Sequence, residues 1–141
     1  MCCLNRPFDN QLQERIKLES EAIILIFRHI EENDWQWISS EVVDFEVNKI
    51  PNMERKQRIQ SLKIFPHHFV LIDEISIQRG EFLHDKGFST YDALHIACAE
   101  QEHAEILLTT DDKLCHLASR YQQELAVRVV NPLHWLQEVL E

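Results

Sequence analysis

The stretch that most constrains the fold is residues 89–114, STYDALHIACAEQEHAEILLTTDDKL. It reads as a helix, a short turn, a buried strand and the start of another helix. In an α/β unit the helix runs antiparallel to the strand it precedes. The start of the helix and the end of the strand therefore meet at one edge of the sheet. Asp92 falls in the first helical turn, and Asp111 and Asp112 fall just past the strand. Acidic positions 19 residues apart are thereby brought together. Open α/β sheets usually place their sites at that edge, outside the carboxyl ends of the strands.

The rest of the chain alternates in the same way. Leu12, Ile16, Ile23, Phe27 and Ile30 recur at helical spacing and predict a helix over 10–31, with Asn10 and Gln13 as a capping box. Residues 35–39, WQWIS, suit a strand. Ser39 or Ser40 then caps a helix that Pro51 stops. A helix is expected over 53–65, a strand over 69–72, and a helix capped by Asp73 that ends near Gly87. After the 89–103 helix come a strand over 105–109, a helix over 111–121, a strand over 126–130 and a last helix opened by Asn131-Pro132. This order implies an α/β fold, a three-layer sandwich whose central parallel sheet is covered by helices on both faces. At 141 residues, with no linker or low-complexity segment, a single domain spanning 1–141 is expected.

Composition narrows the setting. No apolar run approaches the ~20 residues of a membrane span. The start, MCCLNRPFDN, lacks the pattern of a signal peptide. The four cysteines form no CxxC pair. A cytoplasmic chain with reduced thiols is the expectation. The net charge of −10 at first argues against nucleic acid, but the charge is uneven. Residues 49–63 carry Lys49, Arg55, Lys56, Arg58 and Lys63 against Glu54, a local +4 that leaves −14 elsewhere. That segment is either a solvated helix face or a local nucleic-acid footprint.

Glu46 is a third acid of interest. It lies on or beside the apolar stripe of Val42, Val43, Val47 and Ile50, where glutamate is rare without a partner or a cation. Glu41 has the simpler role of an acid in a first helical turn. Singly, Asp92 and Asp111 read as helix-capping acids. Together with Glu46 they come from three helix starts expected at one edge. Two unit charges 4 Å apart repel by about 4 kcal/mol at an effective dielectric near 20, so such a cluster takes up a cation or a proton. Oxygen ligands suit Mg²⁺ or Mn²⁺ better than zinc. There is no HExxH, GxSxG or glycine-rich phosphate loop. The eight scattered histidines read as structural, with His95, one turn past Asp92, facing the core or the rim of the site.

The strings STYDALHIACAE and ILLTTDDKL resemble the two C-terminal motifs of the PIN domain family. SSEVVDFEV resembles its glutamate-bearing middle motif, and CCLNRPFDNQ the part just after its first motif. The resemblance implies a metal-dependent ribonuclease, often a toxin paired with an antitoxin, and admits a homodimer. It implies that Glu46, Asp92 and Asp111 hold Mg²⁺ or Mn²⁺, that Asp112 assists, and that Thr109 orients Asp111 through its hydroxyl. Arg55, Lys56, Arg58 and Lys63 would then contact RNA phosphates. The family's first motif, an aspartate ending a first strand, has no counterpart here. Asp9 is the nearest acid and leads instead into the first helix. The expectation is an in-frame upstream extension of about six residues, apolar and β-branched, ending in Asp. The rival readings are a non-catalytic PIN-like interaction module and a phospho-acceptor receiver using Asp111 and Asp112.

Overall fold

The computed structural model describes residues 2–62 and 66–140. The elements in order are α1 (Cys2–Asn5), α2 (Glu14–Glu31), β1 (Ile38–Ser40), α3 (Glu41–Asn48), α4 (Met53–Leu62), β2 (His68–Val70), α5 (Glu74–Asp85), α6 (Thr90–Gln101), β3 (Ile106–Leu108), α7 (Asp112–Arg120), β4 (Arg128–Val130) and α8 (Pro132–Val139). Single 3₁₀ turns follow α1 and α7.

The caps explain most helix starts. Ser40, Asp73, Ser89, Asp111 and Asn131 each accept a hydrogen bond from a first-turn N–H of the helix they open. Pro132 at the first position of α8 has no N–H to lose. Gly87, at φ 111°, ends α5 in the left-handed conformation that glycine adopts without strain. The expected box at Asn10 does not form. Gln13 opens α2 without a side-chain cap, and Asn10 instead accepts from the Leu12 N–H at 3.0 Å, an Asx turn that delays the helix to Glu14. Trp35 is outside the strand because it packs on His29 and Trp135. Residues 63–65, the end of the helix expected over 53–65, lie outside the described residues.

The strands are parallel, as the alternation requires, but they form two pairs. β1 pairs with β2, and β3 with β4; among the described residues no ladder joins the pairs. The single central sheet expected from the sequence is therefore two short parallel ribbons, because none of the described strands lies between them.

The β3–β4 ribbon is covered on both faces. Leu107 packs into a cluster built from Leu83 of α5, Ala93 and Ile96 of α6, Leu114 and Ala118 of α7, and Val129 of β4. Its neighbour Leu108 points the other way, as successive strand residues must, into Ala22 and Ile26 of α2 and Leu136 of α8. On the β1–β2 side, Val42, Val70 and Cys98 form one small cluster, and Leu4, Val47 and Ile59 another.

Candidate metal centre

Three helices supply the acids: Asp92 in the first turn of α6, Asp111 as the cap of α7, and Glu46 in the second turn of α3, not at its start as expected. Ser40 holds the first turn of α3 through the Val43 N–H at 3.4 Å. Burial of Val42 and Val47 then fixes the helix so that Glu46 is half-buried beside them. Ser89 holds α6 through the Asp92 N–H at 3.2 Å, leaving the Asp92 carboxylate half-buried in the first turn. Asp111 caps α7, with Oδ1 accepting from the N–H groups of Lys113 and Leu114 at 2.9 and 3.2 Å. Its Oδ2 takes no part in the cap.

His95 connects two of these helices. One turn past Asp92, its Nε2–H donates to Glu46 Oε1. Burial alone would raise Glu46, but the hydrogen bond and charge of His95, with Lys49 behind them, hold its carboxyl below the usual range. Asp92 is shifted the other way. Burial raises it first, Ser89 and His95 oppose, and the charges of Asp111 and Glu46 push it up further. Asp92 thus feels the charge of both other acids. Lys49, one turn past Glu46, hydrogen-bonds the Tyr91 hydroxyl and stands 4.7 Å from the ring centroid.

The turn bearing Asp111 is gripped from the N-terminal segment. The Thr109 hydroxyl accepts from the Asp111 N–H at 3.1 Å and lies 3.1 Å from Cys2 Sγ. The Thr110 N–H donates to the same sulfur at 3.2 Å. Arg6 donates to the Thr110 hydroxyl at 3.0 Å, and Arg15 to the Thr110 carbonyl at 3.2 Å. Arg15 also takes both oxygens of Asp112 at 2.7 Å, so that carboxylate is committed to a guanidinium. Behind this turn, buried Glu19 meets Arg6 and Arg15 at 3.3 and 3.2 Å and accepts from Asn131 at 2.6 Å.

The chemistry of the donors fits a hard cation. The oxygens that face a ligand would be Glu46 Oε2, Asp111 Oδ2 and the Asp92 carboxylate, which also has the Ser89 side chain beside it, with no sulfur among them. They are not drawn into bare contact with one ion. Among the described residues, the triad whose ligand atoms all lie within 4.8 Å of one another is His29, Glu32 and Asp34, at the end of α2. That grouping follows from the helix end: Asn33 at φ 62° turns the chain back, and Asp34 pairs with His29 at 2.7 Å.

The basic segment is mostly engaged within the chain. Arg55 reaches Asp9 at 2.9 Å and the Phe8 carbonyl at 2.5 Å, Arg58 pairs with Glu54 at 2.5 Å, and Lys56 reaches the Asn48 carbonyl at 3.3 Å. Lys63 lies outside the described residues. Asp9 is thereby fixed between Arg6 and Arg55.

Sequence reasoning left out His95 as a partner of Glu46, although its spacing from Asp92 placed it on the right face. It also left out Arg15 and Cys2, for which no local signal exists: they are 97 and 107 residues from their partners.

No helix among the described residues is long and apolar enough to cross a membrane. No curated protein and no solved structure matches the chain. A family model, PIN domain, matches residues 21–120, a span that holds all three acids, the β1–β2 pair and the α6–β3–α7 unit. PIN domains have a nuclease-type α/β fold, generally use divalent metal ions and generally bind RNA. With most of its length matched and its parallel strands alternating with helices, the chain belongs to the PIN domain family.

Proposed function

We propose that this protein is a Mg²⁺- or Mn²⁺-dependent endoribonuclease, a cytoplasmic toxin with an antitoxin partner. The observation that carries this reading is the half-buried Asp92 carboxylate, close enough to Glu46 and Asp111 for both charges to oppose its own. A half-buried carboxylate whose charge two others oppose is costly at neutral pH, and a divalent cation offsets that cost. Glu46, Asp92 and Asp111 hold the ion. When bound, it supplies an activated water and neutralises charge on the phosphodiester under attack. His95 keeps Glu46 ionised and aimed, and Thr109 fixes the backbone of Asp111. Lys49, one turn past Glu46 and hydrogen-bonded to Tyr91, would meet a phosphate beside the acids, and exposed Arg58 would contact the RNA backbone. Exposed Phe69, Leu71, Ile75 and Phe82 around β2 and along α5 offer apolar surface to a protein partner, whether the antitoxin or a second copy.

The test is Mn²⁺ calorimetry together with an RNA cleavage assay. Saturable Mn²⁺ binding that Asp92→Asn abolishes, with metal-dependent cleavage by the parent alone, supports the reading. Binding by Asp92→Asn equal to that of the parent sinks the site. A second reading, the non-catalytic interaction module, is favoured by the open spacing of the three acids. It predicts no saturable Mn²⁺ binding and no cleavage by the parent.

A further inference from the structure

Cys2 stands outside the acid set, yet its sulfur contacts both residues that precede Asp111. It accepts from the Thr110 N–H at 3.2 Å and contacts the Thr109 hydroxyl at 3.1 Å, and that hydroxyl accepts from the Asp111 N–H at 3.1 Å. A hydrogen bond from the Cys3 thiol, opposed by burial and aided by the two threonines, brings Cys2 down to about 4. The Cys3 thiol, which supplies that bond, is pushed up by it and by burial. The Thr109 hydroxyl and the sulfur share one hydrogen bond, and the Thr109 oxygen also accepts from the Asp111 N–H, so sulfur, hydroxyl and Asp111 backbone form one chain. The Thr110 N–H, which has no strand partner at this turn, is also satisfied by sulfur.

We propose that Cys2 is a positioning residue for Asp111, acting through Thr109 and Thr110. The functional consequence rests on the metal-site reading above: the relay sets where Asp111 Oδ2 can stand, and hence how well the site holds a divalent ion. Removing a group that orients a metal ligand weakens affinity by roughly 10–100-fold.

Cys2→Ala and Cys2→Ser separate this role from simple packing. Serine keeps an acceptor and a hydroxyl at the same place, and alanine keeps neither. Two measurements are made on the 141-residue chain. The first is amide hydrogen exchange at Thr110 and Asp111, which needs no metal. The expected result is exchange about tenfold faster in Cys2→Ala and close to the parent in Cys2→Ser. The second is Mn²⁺ affinity, expected to fall about tenfold or more in Cys2→Ala and to return to within about threefold in Cys2→Ser. Exchange at Thr110 and Asp111 that is unchanged in Cys2→Ala overturns the proposal. So does a Cys2→Ser variant as impaired as Cys2→Ala, because the side chain would then act by volume. If the parent binds no Mn²⁺, the metal-site reading fails and the exchange measurement alone decides the place of Cys2.

Discussion

The two strand pairs are the same length and the same parallel register, yet they are built very differently. β3–β4 is sandwiched between α5, α6 and α7 on one face and α2 and α8 on the other, and its largest cluster holds ten buried residues. β1–β2 rests on two clusters of three, and His68 and Phe69 of β2 are exposed. Among the described residues, then, the two ribbons have equal ladders and differ in apolar cover. The acids divide between the two regions. Asp92 and Asp111 stand on the well-packed side and Glu46 on the lightly packed side, with His95 reaching across.

The seam between the regions gives the largest expected effect. Glu19 is 1% exposed and answers Arg6, Arg15 and Asn131 at once. Glu19→Ala strips the buried partner from Arg6 Nε, Arg15 Nε and the Asn131 amide, leaving the guanidiniums only Asp9 and Asp112 as ion-pair partners, and a loss of about 3–5 kcal/mol in denaturant unfolding is expected. A loss below about 1 kcal/mol would mean that water substitutes freely there.

Core truncation compares the two sides directly. Ile96→Ala, in the large cluster, is expected to cost about 3–4 kcal/mol, and Ile59→Ala, in a small one that can collapse, about 2 kcal/mol. Equal costs, measured by the same denaturant melts, would break the contrast. Exchange sharpens it: the Leu108 amide should outlast the Phe69 amide, and the reverse order would contradict the packing.

A smaller effect lies at Asp92, where the sign is informative. Its pKa is raised in the folded state, so the ionised form is destabilising there, and protonation relieves the cost. Asp92→Asn should therefore melt higher than the metal-free parent at pH 7. The advantage should shrink as pH falls through the folded Asp92 pKa and the parent takes up its proton. A variant that melts lower at pH 7 would show that Asp92 is held by favourable contacts. The smallest effect is expected at Arg58, whose partner Glu54 is exposed. Arg58→Ala should change stability by less than about 0.5 kcal/mol. If Arg58 meets RNA, the variant should also lower the log–log salt slope of binding by about one.

Much of this was readable in the chain. The caps at Ser89, Asp73, Asp111 and Asn131, and the strand–helix alternation, depend on residues within a few positions of each other, and local chemistry decides them. Strand ends differ from the expected ones by up to three residues, as at 105–109 against Ile106–Leu108, because ladder pairing rather than propensity ends a strand. The Asn10 box was misread because an Asx turn competes for the same side chain. The split of the sheet was not visible in any strand's own residues, since pairing is a property of neighbours. The partners of Arg15, Arg55 and Cys2 lie 46 to 108 residues away, and no periodicity carries that information. The basic 49–63 run looked like one face, but Arg55 turns inward to Asp9, which only the tertiary fold decides.

The absence of a ladder between the two pairs has a thermodynamic consequence. In a continuous sheet, peeling one half away breaks backbone bonds in the other, and the two melt together. Here the described residues share none, so β1–β2 with α3 can separate as its own cooperative unit while the ten-residue cluster stays closed. Any ligand that needs Glu46 and Asp92 at once then sees only the docked fraction of molecules, and its apparent affinity scales with that fraction. By the same linkage, such a ligand acts as a clasp: binding draws the two units together and makes one folding transition out of two.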